Sequence, residues 1–299
     1  MLYKLFKFCI NRVEPEVAHK FAIKFIKNSY LPKSNFSNTK YKNLNQKILE
    51  KDFENPVGLA AGFDKNGEIY NYVNKLGFGF TEIGTVTPKP QYGNLKPRVF
   101  RLPNDKAIIN RLGFPNDGMK NIKKRIQSNV PNGICGINIG PNKENATLVD
   151  DYIVCFKNFF NIASYIAINI SSPNTPNLRL QHEEDKIAKL IDSIKKIREE
   201  KKSLVPILLK ISPDLDDLEI NNLSDIFLEK NIDGLILTNT TIRNKSNLIS
   251  ASKAEEGGLS GAPLNEPSNI IIKKFYHRLG GSIPIIGAGG GSDGKTAFE

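Results

Sequence analysis

Cysteine and histidine are scarce in this 299-residue chain, with three of each. Cys9, Cys135 and Cys155 have neither metal-site nor disulfide spacing, and they read as reduced thiols in a cytosolic setting. His19, His182 and His277 stand isolated and none sits in a metal motif, so no metal is expected. Long apolar runs are missing too: none reaches the roughly 18 residues that span a bilayer. The N-terminus lacks a small-residue cleavage signature, so no signal peptide is expected. Acidic residues are outnumbered, 31 against 42 basic ones, for a formal charge of +11. The lysines are spread along the whole chain without an aromatic-and-basic cluster, so nucleic acid is not an expected partner. With 39% hydrophobic and 24% charged residues, the chain has the material for one large or two medium domains.

What the chain does have is alternation. Short apolar runs predict strands at 56–60, 79–84, 134–139, 164–170, 205–211, 233–238 and 284–288. Helical patterns lie between them near 66–76, 116–127, 144–161, 183–200, 216–230 and 266–279. In the fourth of these, Ile187, Leu190, Ile191, Ile194 and Ile197 recur at helical spacing. Strand alternating with helix predicts a parallel α/β fold. An open sheet and a closed barrel both fit, and the strand exits separate them. "AAGFDK", "GTVTP", "NIGPNK", "NISSPNT", "KISPD", "TNTT" and "GAGGG" follow seven strands in turn. Polar groups converging from that many strand ends describe the top of a (β/α)8 TIM-type barrel.

A literal G-x-G-x-x-G at Gly289, Gly291 and Gly294 is followed by only five residues, too few to complete a dinucleotide-binding βαβ unit. A glycine-rich barrel loop for a phosphate is the better reading. Residues 93–115 interrupt the alternation and read as a hairpin, "RVFRL" and "KAIIN" around Pro103-Asn104-Asp105, ending in "NRLGF" over the mouth. The N-terminus carries two apolar stripes. One is Leu2, Leu5, Phe6, Cys9 and Ile10; the other is Phe21, Ala22, Phe25 and Ile26 beside Lys20, Lys24 and Lys27. Such helices lie on a membrane surface or pack on the barrel.

Taken in order, "GLAAGFDKNGE", "GTVTP", "RLPNDKAIINRLGF", "NIGPNK", "NISSPNTPNLR", "KISPD", "TNTTI", "GGLSG" and "IIGAGGG" resemble dihydroorotate dehydrogenase, specifically its membrane-associated, quinone-using class. The resemblance covers essentially the whole chain. It implies oxidation of dihydroorotate to orotate in pyrimidine synthesis, with FMN as hydride acceptor and a membrane quinone as final acceptor. It implies Ser172 as catalytic base, where the soluble class has cysteine, with Thr175 as its relay and Phe114 as its shelter. The FMN positions it implies are Ala61, Gly62, Lys65, Thr85, Asn138, Asn169, Lys210, Thr238, Gly261 and Gly290. For the substrate it implies Lys65, Asn110, Asn169, Asn174, Asn239 and Thr240, with Arg111, Leu112, Gly113 and Phe114 in the lid. It implies a peripheral location on the cytoplasmic face of the bacterial inner membrane.

Three departures from the family pattern stand out. Pro115 follows "NRLGF" where asparagine is expected, and Gly291 replaces a larger apolar residue. The sequence stops at Glu299, before a seventh helix, an eighth strand and a second phosphate loop. The expectation is therefore a barrel lacking its eighth βα unit, over 41–299, with a helical extension over 1–40. Unpaired edges on its first and seventh strands would cost stability and flavin retention. Two alternatives accompany this reading: an impaired or inactive product, and another FMN barrel oxidoreductase.

Overall fold

A computed structural model of the protein describes residue 10 and residues 12–28, 42–144, 148–173, 184–243 and 245–298. The first apolar stripe, apart from Ile10, lies outside these, as do Asn174, Thr175 and His182.

The chain enters through helix α1 (Pro15–Lys27). Proline suits its first turn, and the Glu14 carboxylate caps it by accepting from the backbone N–H groups of Glu16 and Val17 at 3.1 and 2.8 Å. Strands β1 (Gln46–Ile48) and β2 (Lys51–Phe53) form a small antiparallel hairpin. Then comes the main series: β3 (Gly58–Leu59), β4 (Phe80–Val86), the pair β5 (Val99–Leu102) and β6 (Ala107–Asn110), α2 (Met119–Ser128), β7 (Ile134–Ile139), α3 (Leu148–Phe159), β8 (Tyr165–Asn169), α4 (Glu184–Glu200), β9 (Ile207–Ile211), α5 (Asp217–Glu229), β10 (Gly234–Leu237), β11 (Gly258–Gly261), α6 (Asn265–Arg278), β12 (Ile285–Gly287) and α7 (Gly294–Phe298).

Seven of these strands make one curled parallel sheet, in the order β12-β10-β9-β8-β7-β4-β3. Its seven strands are the seven expected, each within a few residues of its predicted bounds. In β4, β8 and β9 the near-continuous apolar runs follow from burial on both faces. Along β4, Phe80 joins an inner cluster with Phe53, Tyr165, Ala167, Leu208 and Ile236, while Ile83 joins the outer one. That outer cluster takes Ile122 and Ile126 from α2, Phe156 and Phe159 from α3, Leu190 and Ile194 from α4, and Phe227 and Phe275 from α5 and α6. The β1–β2 hairpin closes the N-terminal end of the curl, with Phe53 edge-on to Phe80 at 5.2 Å.

Two expectations need correction. Residues 66–76 form turns and a short 3-10 segment (Val73–Leu76) instead of an α-helix. The buried Asp64 carboxylate accepts from the N–H groups of Glu68 and Ile69 at 2.7 and 2.8 Å, and Gly67 takes a left-handed conformation. That geometry organises the segment as a turn around a carboxylate. The hairpin of 93–115 is present as β5 and β6, but it is part of a three-stranded sheet. Strand β11 pairs antiparallel with β6, Gly258 opposite Asn110 and Gly261 opposite Ala107.

Helix α1 lies against the first βα connection. Ile23 and Ile26 pack with Ile69 and Val73. Arg98 is buried and clamps Glu16 with two bonds, at 2.7 and 3.0 Å, while also donating to the carbonyls of Tyr92 and Asn94. On the other face of α1, Phe21 is 61% and Phe25 45% exposed, in line with Val17. None of the described helices is long and apolar enough to cross a membrane.

Candidate active site

Strand register sets the site. Asn138 ends up opposite Ala167, and Asn169 opposite Lys210, so the polar residues of neighbouring strands arrive at the C-terminal end of the sheet together. There they bond to one another. Thr85 donates through Oγ1 to Asn138 Oδ1 at 2.6 Å. Asn169 Nδ2 donates to Thr85 Oγ1 at 3.2 Å, and Asn239 Nδ2 to Asn169 Oδ1 at 3.3 Å and Ser171 Oγ at 3.1 Å. Asn239 Oδ1 accepts from the Thr240 N–H at 2.8 Å. Four strand exits are thereby cross-linked by side chains that were candidates from sequence alone. Tyr152 on α3 supports them from behind, donating to the Asn169 carbonyl at 2.6 Å.

Lys210 stands beside this ring, 7% exposed, its backbone in the ladder between β8 and β10 and its side chain without a hydrogen bond or ion pair to any described residue. A lysine whose stem is buried at that strand end suits an anionic or strongly accepting neighbour. Ser172 is buried, 4% exposed, just beyond the end of β8. Lys65 follows the first strand's exit. Burial pulls its pKa down to about 8; Arg98 adds to the fall, while Glu16 and Asp64 oppose it. Gly62 donates to the Gly84 carbonyl at 2.8 Å, tying this exit to the next.

The stretch 110–114 crosses the mouth. Phe114 lies against β7: a Cβ added at Gly140 would sit 3.2 Å from its ring and 2.7 Å from the Thr85 methyl. Its carbonyl accepts from Asn116 Nδ2 at 2.9 Å, and Gln91 Nε2 donates to the Gly113 carbonyl at 2.9 Å. Asn116 is buried and also donates to Thr87 Oγ1 at 2.8 Å. Asn116, next to Pro115, thus anchors the end of the stretch. Arg111 is turned away from the mouth. It pairs with Glu255 at 2.8 Å, donates to the Pro97 carbonyl and stacks over Phe100.

Gly261 packs against Lys106 and Ala107 just before the turn that leads into α6, and Gly290 packs against the start of that helix. Both have positive φ, 96° and 72°. A Cβ at Gly290 would run into the backbone nitrogen of Asn265, the first residue of α6, and one at Gly261 into the Lys106 carbonyl. Backbone N–H groups crowded at a helix N-terminus suit an anion. Thr238 lies next to them, its N–H donating to the Ala288 carbonyl at 2.7 Å.

Sequence reasoning passed over Glu82, Tyr165, Asn116 and Asp214, all close to these groups. Asp214 is buried, accepts from the Thr241 hydroxyl and takes the Ile242 N–H at 3.0 Å, fixing the "TNTT" loop. The available signal was a carboxylate inside an apolar strand, as in "GFTEIGTV".

A family model described as dihydroorotate dehydrogenase matches residues 43–299. The chain belongs to the dihydroorotate dehydrogenase family. A relative in Bartonella henselae named dihydroorotate dehydrogenase (quinone) is 46% identical over 300 residues, covering 97% of this chain and 82% of the relative. One of the same name in Cellvibrio japonicus is 41% identical, covering 100% of this chain and 89% of its own. Among solved structures, ligand-free DHODH from Eimeria tenella superposes with a TM-score of 0.88 at 38% identity, over 95% of this chain and 85% of that one. The family fold is the TIM-type barrel to which the curled sheet corresponds.

Proposed function

We propose that this chain oxidises dihydroorotate to orotate in pyrimidine synthesis, using FMN and passing the electrons to a membrane quinone. The observation that carries the reading is the cross-linked ring of Thr85, Asn138, Asn169, Ser171 and Asn239 with the buried Lys210 beside it. The residues fit a flavin mononucleotide. Lys210 offers a fixed charge for the ring's pyrimidine edge, and the Gly261 and Gly290 backbones offer a cradle for a phosphate. Thr85, Asn138, Asn169 and Thr238 line the space between, with Ala61, Gly62 and Lys65 on the first exit. FMN, when bound, supplies the hydride acceptor that no side chain provides.

The rest of the chemistry belongs to side chains. Ser172 is the base: its Oγ takes the proton from the ring carbon next to the one that gives up hydride. A serine is a weak base near pH 7, and it needs an onward acceptor, the role assigned to Thr175. Its burial keeps bulk water out, and Phe114 closes the lid of residues 110–114 over it. Lys65 holds the substrate carboxylate. Asn110, Asn174, Asn239 and Thr240 read the ring's N–H and C=O groups, since an amide offers both donor and acceptor. Arg111, by its bonds to Glu255 and Pro97, anchors the lid from outside.

Residues 1–40 form the membrane and quinone element, and 41–299 the flavin barrel. The exposed row Val17, Phe21 and Phe25 beside Lys20, Lys24 and Lys27 supports docking of α1 on an anionic bilayer, on the cytoplasmic face of a bacterial inner membrane. The test is to purify the protein, identify the released flavin by mass and compare ubiquinone, fumarate and NAD as acceptors of dihydroorotate electrons. FMN with a strong quinone preference is the expected result. Turnover with fumarate or NAD alone would overturn the quinone assignment.

A further inference from the structure

Glu82 takes no part in the reading above. It is buried in β4, and among the described residues no cation pairs with it. A buried carboxylate is costly unless its oxygens are bonded. Both are. Asn138 Nδ2 donates to Oε1 at 2.9 Å, and the Tyr165 hydroxyl donates to Oε2 at 3.1 Å. The backbone arranges this. In strand register Gly136 faces Glu82 on one side and Tyr165 on the other, and a Cβ there would run into the Tyr165 ring. The ring therefore crosses β7 over Gly136 to reach β4. Burial, and then the charge of Glu82, hold the Tyr165 pKa well above its ordinary value, so the phenol stays a donor.

A carboxylate with two donors on it only accepts. Asn138 must then turn its NH2 group to Glu82 and its Oδ1 outward. That oxygen accepts the Thr85 hydroxyl proton at 2.6 Å. With its proton committed, Thr85 Oγ1 is left as an acceptor, and Asn169 Nδ2 donates to it at 3.2 Å. Asn169 Oδ1 accepts from Asn239 Nδ2, and Asn239 Oδ1 accepts from the Thr240 N–H. The orientations of Asn138 and Thr85 follow from the one anion at the base, and they meet those of Asn169 and Asn239, which the backbone N–H groups of Ser171 and Thr240 fix from the other end. Chains of this kind in a low-dielectric interior reinforce one another.

We propose that Glu82 is a positioning residue: its charge sets the donor and acceptor polarity of the groups that meet flavin and substrate, and disfavours reduction of the bound flavin. The proposal rests on the reading of that ring as the flavin and substrate site. The effect on the flavin is Coulombic, since a buried negative charge opposes arrival of electrons nearby.

The experiment compares holoenzymes of wild type, Glu82→Gln and Tyr165→Phe. Glutamine keeps the shape but brings an NH2 group that can donate to Asn138 Oδ1, which frees Asn138 and Thr85 to reverse against the backbone-fixed Asn169 and Asn239. Tyr165→Phe removes one neutral donor and keeps the charge. The expected result is a positive shift of the flavin midpoint potential in Glu82→Gln, with orotate binding weakened about 2- to 10-fold, the weight of one net hydrogen bond. Tyr165→Phe keeps both near wild type, although both variants melt earlier. A Glu82→Gln enzyme with wild-type potential and orotate affinity overturns the proposal, as does a Tyr165→Phe enzyme that changes both equally. For a Glu82→Gln protein that does not fold, NMR of the wild-type holoenzyme labelled with 15N-asparagine takes over. A downfield Asn138 side-chain proton supports the carboxylate contact, and a solution-like shift overturns it. Wild-type protein that binds no FMN would overturn the flavin reading itself, whereas FMN-bound wild type beside an indifferent Glu82→Gln overturns this proposal alone.

Discussion

Thr85, Asn138 and Asn169 stand on β4, β7 and β8 in the middle of the sheet, whereas Gly290 follows β12 at its end. All residues of β4, β8 and β9 are buried, while none of β12 or β3 is. The middle is held by side chains bonded across strands and backed by Tyr152 and Tyr165. The end is held by backbone shape, with glycines where a Cβ has no room. The middle is held by the protein's own side-chain bonds, the kind of fixed dipoles that transition-state stabilisation uses. The end is a grip, and its failure releases the ligand without changing the chemistry. Changes in the middle should therefore alter the rate of flavin reduction, and changes at the end the affinity for FMN.

The largest expected effect is in the middle. Ser172→Ala should bind FMN and orotate normally, yet reduce its flavin about 10²–10⁴-fold more slowly in a single turnover, the usual weight of a general base. Flavin reduction at the wild-type rate would remove Ser172 from that role. The next is at the end. Gly290→Ala forces a Cβ against Asn265 at a φ of 72°, and strain of this type costs about 1–3 kcal/mol. FMN affinity should fall about 5- to 150-fold, while flavin reduction in the saturated enzyme stays unchanged. A variant that lost rate but kept affinity would reverse the comparison.

Legibility follows the same division. The strands were readable because burial on both faces leaves runs such as Ile134–Ile139 and Ile207–Ile211 almost wholly apolar. Asn138, Asn169 and Lys210 were readable through the family resemblance of the motifs at the ends of such runs. Glu82 was not, since a sequence shows that a carboxylate interrupts a strand but not which donors wait across two neighbours. The pairing of β11 with β6 joins residues about 150 positions apart, and nothing local in "GGLSG" announces it. The turn over 66–76 looked helical because its apolar spacing is right. The backbone bonds that Asp64 draws to itself decide otherwise.

Lys65 gives a smaller, graded effect between the two ends. Its pKa is lowered to about 8, chiefly by burial, so the unliganded site holds an ammonium below that pH and a neutral amine above it. An anion binds the ammonium and raises its pKa again. Orotate affinity should therefore be flat below pH 8 and fall above it, by at most about tenfold per pH unit. Lys65→Met should bind weakly at every pH and lose the dependence. A wild-type affinity constant from pH 6 to 10 would show that Lys65 does not hold the carboxylate.

The smallest effect on chemistry belongs to α1, whose two faces repeat the comparison on a smaller scale. Ile23 is buried against Ile69 and Val73, whereas Phe21 projects 61% exposed from the same helix. Truncating Ile23 to alanine leaves a cavity, and such changes cost about 2–5 kcal/mol in a core. Replacing Phe21 with serine removes no internal contact of that kind, so stability should move by no more than about 0.5 kcal/mol. Flavin reduction by dihydroorotate should not change. What should fall is partition onto anionic liposomes, several-fold for Phe21→Ser and further for Phe21→Ser with Phe25→Ser, together with turnover of a long-tailed quinone held in those liposomes. A short-tailed soluble quinone serves as the control, since it reaches the site without the bilayer. Equal liposome partition by the double variant and wild type would make the exposed row an ordinary surface, and would leave the buried face of α1 as the part that matters.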